Sequence, residues 1–352
     1  MNLKINKLPV KTWNHLNMNE TNIEIDDNFQ NHLPSVETDE NMVKYTIECD
    51  STRFLESKGE LEDLTKKADT FLVETPKSTT MKGPIILKYK YNNNEKAMSR
   101  LAIHACEDSV LNIILIFESL GEIDISAIQT YVYAEKNSCI NIYLAQLLNE
   151  SSTTISNITG VCKEASSVTL TRIELGSAKS FSNVTINLEG DSSDFKTNVA
   201  YHAIKEQVID MNYSSYHYGK KTKCLMQVNG TLEDGSKKMF KGTIDFKTGC
   251  TGSKGTEMEN ILLLGENMVN GTIPLILCAE EDVEGNHGAS IGNLDDKLLF
   301  YLSTRGITKT DAQSIIAMSR IENVCSEFPN IKIQDKIRNF EVNRGAAYEA
   351  EL

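Results

Sequence analysis

A mainly β solenoid with helical segments at its ends is the fold this sequence predicts, and three observations carry it. Between about residues 84 and 280, short β-rich runs recur, separated by Gly, Ser, Asn and Asp, while helix-period patterning nearly vanishes. Small or polar residues lead into apolar ones at Ser138, Ser166, Asp194, Thr222 and Cys250, each 28 residues after the one before. A unit of that length with several short strands predicts stacked coils, each burying a face against the next. A β-sandwich is the competing arrangement. Helical periodicity then returns after residue 295.

Taken in order, the chain divides into a mixed or helical segment over 1–83, a β core over 84–292 and a helical subdomain over 293–352. In the first segment Leu61, Leu64, Ala68, Phe71 and Leu72 fall at helical spacing, and Pro76 ends that element. Trp13, the single tryptophan, reads as an anchor that packs this segment onto the rest. In the core, Ile85–Tyr89, Val110–Phe117, Ile140–Leu144, Val168–Ile173 and Val184–Leu188 read as strands. Cys139, Cys162, Cys224 and Cys250 are expected to fill its interior as thiols. His202 and His217 are ambiguous between packing and chemistry, and His217 lies in an aromatic strand that packs well without a catalytic duty.

The apolar run Ile273–Cys278 should pass into an acidic turn, then into His287 held among Gly285, Gly288 and Gly292, then into a helix. That helix spans Asp296 to Thr304 with Leu298, Leu299, Tyr301 and Leu302 on one face, and Gly306 follows its end. Thr308 and Asp311 form a capping-box pattern that opens a second helix with a stripe of Ala312, Ile315, Ile316, Ser319, Val324 and Phe328. A third helix carries Ile333, Ile337 and Phe340.

Composition excludes several functions. A formal net charge of −13 over 352 residues argues against a sequence-independent nucleic-acid surface, which needs clustered Lys and Arg. Eight dispersed cysteines without a Cys-x-x-Cys pair read as reduced thiols of a cytoplasmic protein. The N-terminus lacks a signal-peptide core, and no apolar run reaches membrane-spanning length. Triplets such as Asn157-Ile-Thr159 and Asn183-Val-Thr185 then read as polar strand composition and not as glycosylation sites. There is no P-loop, no Gly-x-Ser-x-Gly elbow and no His-Glu-x-x-His helix, so the chain offers no self-contained enzyme.

The run Asp282-Val-Glu-Gly-Asn-His287-Gly-Ala-Ser-Ile-Gly292, followed by Leu299-Phe-Tyr-Leu-Ser-Thr-Arg305-Gly and Ala312, resembles the C-terminal signature of the SufB/SufD family of iron–sulfur cluster assembly proteins. Its His-Gly-Ala form is closer to SufD. Phe240-Lys-Gly242-Thr-Ile244, Glu259–Leu264, Pro274–Cys278 and Leu8–Trp13 continue the similarity in the family's order. The resemblance implies a right-handed parallel β-helix. It also implies a non-catalytic scaffold that pairs with a SufB-like subunit, binds the ATPase SufC and helps build and transfer nascent clusters.

A homodimeric scaffold of a reduced system is the alternative within the family. A β-helix polysaccharide-active enzyme is a more distant one that would need export. His287 is the best-matched ligand for a transient Fe–S cluster at a subunit interface, with Cys278 and Glu284 as accessory candidates. Many SufD relatives carry Cys-Ser-His-Gly where this chain has Gly285-Asn-His-Gly288, so no thiolate comes from position 285. The surrounding carboxylates also favour an imidazolium, which must lose its proton before it binds metal. For SufC the resemblance points to Arg305, Gly306, Ile315, Ile316 and Arg320. The sequence leaves open whether a flavin binds, the cluster type and the route of sulfur.

Overall fold

The computed structural model describes residues 1–12, 16–26, 28–38, 44–48 and 59–349. Trp13 and Cys49 lie outside the described residues. The fold is a parallel β-solenoid of about eight turns. Each coil contributes one long strand to each of two sheets. Sheet I runs from Lys44–Glu48 and Thr70–Thr75 through every second strand to Val269–Cys278. Sheet II runs from Ser35–Glu37 and Ile85–Tyr91 to Val283–Asn293. All long strands pair in parallel with the next coil, and only Ser35–Glu37 and Lys44–Glu48 add antiparallel edges at the start.

Because side chains alternate along a strand, one face of each sheet points into the solenoid. Ile103, Ile113, Leu144, Leu170, Val199, Tyr213 and Phe240 share one continuous apolar core there. Outward positions are held partly by stacked amides. Asn212 donates to Asn183 at 2.7 Å, Asn183 to Asn157 at 2.6 Å and Asn157 to Gln129 at 2.7 Å. The glycosylation-like triplets are therefore rungs of an amide ladder on sheet I.

The recurrence is real but not of fixed length. Cys139 pairs with Ser167, Ser167 with Asp194, Asp194 with Lys223 and Lys223 with Lys254, which gives steps of 28, 27, 29 and 31 residues. The repeating device is a turn in which a residue at positive φ precedes a buried hydroxyl. Asp108, Asn137, Ala165, Ser192, Lys221 and Gly252 precede Ser109, Ser138, Ser166, Ser193, Thr222 and Ser253. The hydroxyls of Ser138, Ser166 and Ser193 each donate to the carbonyl three residues earlier, at 2.7–2.8 Å. The 28-residue register thus holds at Ser138, Ser166 and Thr222, whereas the true equivalents of Asp194 and Cys250 are Ser193 and Ser253. Variable turn length displaces a fixed step.

Among the described residues, four helices flank the coils. α1 (Glu60–Thr65) is shorter than its apolar spacing predicts, because Phe71 and Leu72 belong to the strand Thr70–Thr75 that pairs with Lys96–Ala105. Phe71 faces the interior core and Leu72 packs with Ala102 and Tyr131 on the outer face, so β pairing outweighs the helical stripe. α2 (Asp296–Ser303) follows the last strand, and Gly306 at φ 82° ends it. α3 (Lys309–Cys325) starts with the expected capping box of Thr308 and Asp311. α4 (Ile331–Glu349) turns back along the solenoid.

The last two helices lie on the outer face of sheet II, where Ile321, Val324, Phe328, Ile333 and Ile337 pack on Ile114, Ile116, Leu147 and Ile173. Ile315, expected on the inner stripe, is 57% exposed, and Ala317 and Ile321 take the buried positions. α4 is locked by a buried polar set. His202 bridges Glu233 (2.9 Å) and Glu341, while Arg344 donates to the carbonyl of His202 at 2.8 Å and also to that of Leu175. The helices run along the side of the solenoid and leave its last coil uncovered.

Among the described residues no helix is long and apolar enough to cross a membrane. The seven described cysteines are free. Cys162, Cys224 and Cys250 are buried as expected. Cys139 instead lies half-exposed, 3.7 Å from the side-chain oxygen of Asn141 on the outward face.

Candidate functional site

The stretch around His287 is the last strand of sheet II and not a loop. Val283–Asn293 pairs along its length with Ser253–Leu264, which places His287 beside Glu257. An acidic, glycine-rich sequence forms a strand here because the preceding coil supplies a complete ladder of donors and acceptors. None of Gly285, Gly288 and Gly292 has positive φ. Instead Gly285 makes room: a Cβ there would stand 3.1 Å from the Ile276 and Phe246 side chains.

That contact fixes the facing of the strand. Gly285, and by alternation His287, face the solenoid interior, whereas Glu284 faces outward and pairs with Lys254 at 2.7 Å. Glu284 therefore does not share a face with His287. Cys278 ends the last strand of sheet I, exposed, with its thiol 3.0 Å from the Glu280 carbonyl. Cys278, Glu284 and His287 do not form a close three-ligand group.

His287 is exposed although it faces inward, because among the described residues no further coil covers it. One coil below it the interior changes character. Glu257 is 3% exposed, and its Oε2 has no hydrogen-bond partner. Its carboxylate is lodged over Gly242, where a Cβ would fall 2.1 Å from Oε2. Burial and the neighbouring Glu259 raise its pKa to about 7. Beside it, Lys238 bonds Glu259, the Gly271 carbonyl (3.0 Å) and the Thr272 hydroxyl (3.0 Å). Burial lowers the Lys238 pKa against the pull of Glu259. Sequence reading missed Lys238, Glu257 and Glu259. Their signal was available as charged residues at interior positions of two strands otherwise patterned for a core.

This end of the molecule thus combines an imidazole, a thiol and a buried carboxylate with two strands whose outer edges are unpaired among the described residues. Imidazole, thiolate and carboxylate are all iron ligands.

The helical residues divide into two groups. Arg320 donates to the Asn260 carbonyl at 3.1 Å, and Ile316 packs with Leu262, Leu264 and Ala317, so both dock α3 on sheet II. Arg305 lies over the Tyr301 ring at 5.1 Å, and it leaves a surface with Leu298, Phe300, Tyr301 and Ile315 exposed. α2 buries no residue in this chain.

Comparison with known proteins gives the family. The family described as SUF system FeS cluster assembly, SufBD core domain, matches residues 89–319. This chain belongs to the SufB/SufD family. The iron–sulfur cluster assembly protein SufD of Bacillus subtilis is 24% identical over 262 residues, 72% of this chain and 59% of the relative. SufD of Escherichia coli is 31% identical over 144 residues, 40% of this chain and 34% of the relative. A SufBD family protein of Synechocystis is 25% identical over 171 residues, 48% of this chain and 36% of the relative. The chain is SufD-like within the family, and it spans 59% or less of the length of these relatives.

Proposed function

We propose that this chain is a non-catalytic scaffold in SUF iron–sulfur cluster assembly that presents His287 to a nascent cluster at a subunit interface. The observation that carries this reading is the uncovered last coil, where an inward-facing histidine and two unpaired strand edges coincide. An unpaired edge is a template for another β chain, and a SufB-like coil end would supply both the missing strands and the missing thiolates. Cys278 is a second candidate ligand. Glu284 is a weaker one, since it faces Lys254.

SufC, on this reading, docks on the exposed residues of α2 and early α3, with Arg305, Gly306 and Ile315 in reach, while Ile316 and Arg320 hold α3 in place. ATP-driven movement of SufC would then open the subunit interface.

The test is co-purification with a SufB-like and a SufC-like protein, followed by anaerobic reconstitution with iron and sulfide. Wild type should join the complex and give a visible cluster chromophore, and His287→Ala should assemble but lose most of it. The same chromophore in the mutant would make His287 a structural residue. Failure of wild type to bind either partner, together with a dimer of this chain alone, would favour the homodimeric scaffold.

A further inference from the structure

A second cluster of ligand-type side chains lies on the outer face of sheet I, near the opposite end of the solenoid from His287. Glu74, His104 and Cys106 bring a carboxylate oxygen, a ring nitrogen and a sulfur within 4.8 Å of one another. Parallel pairing produces the arrangement: Glu74 sits beside His104 in register, and Cys106 follows two residues on, at the end of the same outward face. Glu74 Oε2 is 2.8 Å from His104 Nδ1, and Glu135 Oε1 from the next coil is 3.0 Å from Nε2.

We propose that Glu74, His104 and Cys106 bind a borderline divalent first-row cation, with Glu135 orienting the imidazole from behind. A metal-bound histidine usually donates its other N–H to a carboxylate, which fixes the ring and raises its basicity. Glu135 is placed for that duty and is itself held, since its Oε2 accepts the Glu107 backbone N–H at 2.9 Å. Tyr133 braces the ring edge-on at 5.4 Å. Nδ1 then faces the cation together with the Glu74 carboxylate and the Cys106 thiolate.

One imidazole, one thiolate and one carboxylate suit zinc, iron(II) or cobalt(II) better than magnesium or calcium. Three protein ligands with a fourth position toward solvent describe an exchangeable site, unlike the closed four-ligand sites that only stabilise a fold. In tetrahedral zinc or cobalt geometry the ligand atoms stand about 3.3–3.8 Å apart, so the cluster needs only small side-chain adjustments. The thiol is the telling member. An imidazolium between two carboxylates would account for Glu74, His104 and Glu135 without any ion, but not for a cysteine beside them. Burial and the charges of Glu135 and Glu74 raise the Cys106 pKa, so the free thiol keeps its proton and the cation must displace it on binding.

The experiment is a titration of the reduced, full-length chain with Co²⁺, following the thiolate-to-cobalt charge-transfer band, with Zn²⁺ as competitor. One equivalent should develop the band in wild type and in His287→Ala, and Zn²⁺ should abolish it. Cys106→Ser and His104→Ala, checked for native circular dichroism, should lose the band. Glu135→Gln keeps all three ligands and should weaken binding by about 10–100-fold. Absence of a band in wild type, or a band that survives in Cys106→Ser, would overturn the site. Persistence of the band in His287→Ala keeps this test separate from that of the cluster scaffold.

Discussion

The middle of the solenoid and its last coil are built from the same repeat and differ in saturation. Over the strands from Cys139 to Ala203 both strand edges are paired, the interior is apolar around one buried ion pair, Arg172–Glu174, that Ser156 and Ser180 complete, and α3 and α4 cover the outer face of sheet II. Over Val269–Asn293 each strand has one partner, the interior side chains are half-open, and the coil below carries a buried Lys–Glu pair and an unpartnered glutamate oxygen. The closed coils supply the folding energy, and on the function proposed above the open coil is the end that a partner completes.

Substitutions in the two regions should therefore differ sharply, which is the largest expected effect. Phe195, fully buried in the shared core, should cost about 3–5 kcal/mol when changed to Ala. His287→Ala should shift the denaturation midpoint by less than about 0.5 kcal/mol. A costly His287→Ala would mean that the last coil is structurally closed. Lys238→Ala should cost roughly 3–5 kcal/mol, because it strands the Glu259 charge in the interior. The double change Lys238→Met with Glu259→Leu should recover much of that loss in the same denaturation series.

The docking of α4 provides a smaller, pH-dependent contrast. Burial disfavours the His202 imidazolium, but Glu341 and Glu233 outweigh it and raise its pKa. The stability it contributes is present below the ordinary histidine range and is lost as pH rises through the raised value. Glu341 behaves oppositely. Burial opposes its charge, yet Arg344 and His202 bring its pKa down to about 2, so its contribution is present at neutral pH and lost as pH falls toward about 2. Limited proteolysis should find α4 best protected between those limits, and His202→Ala should flatten the alkaline arm.

At the open end, Glu257 adds a further pH dependence. Its pKa of about 7 lies above the unfolded glutamate value, so the chain should lose stability as pH rises from about 4.3 through about 7. Glu257→Gln should remove that slope in pH-dependent denaturation.

How much could be read in advance follows the same division. The closed coils were legible because burial on both sides leaves apolar strands and small-residue turns, and the period was nearly right. It slipped at Ser193 and Ser253 because turns of differing length still place one hydroxyl over the next. The capping box at Thr308 and the stop at Gly306 were legible from local chemistry alone. The strand at His287 was not, since Val283–Asn293 lacks the apolar alternation of a strand and takes its conformation from the coil beneath. Phe71 and Leu72 misled for the converse reason, a helical spacing overridden by sheet pairing. The motif around His287 lies in the last strand of sheet II, while Lys238, Glu257 and Glu259 became visible only once facing was known.

Hydrogen–deuterium exchange, with and without a SufB-like partner, tests the division most directly. The strands Val269–Cys278 and Val283–Asn293 should exchange far faster than those from Cys139 to Ala203 in the isolated chain, and the partner should slow exchange there selectively. Equal protection along the whole solenoid, or partner protection confined to other coils, would contradict it.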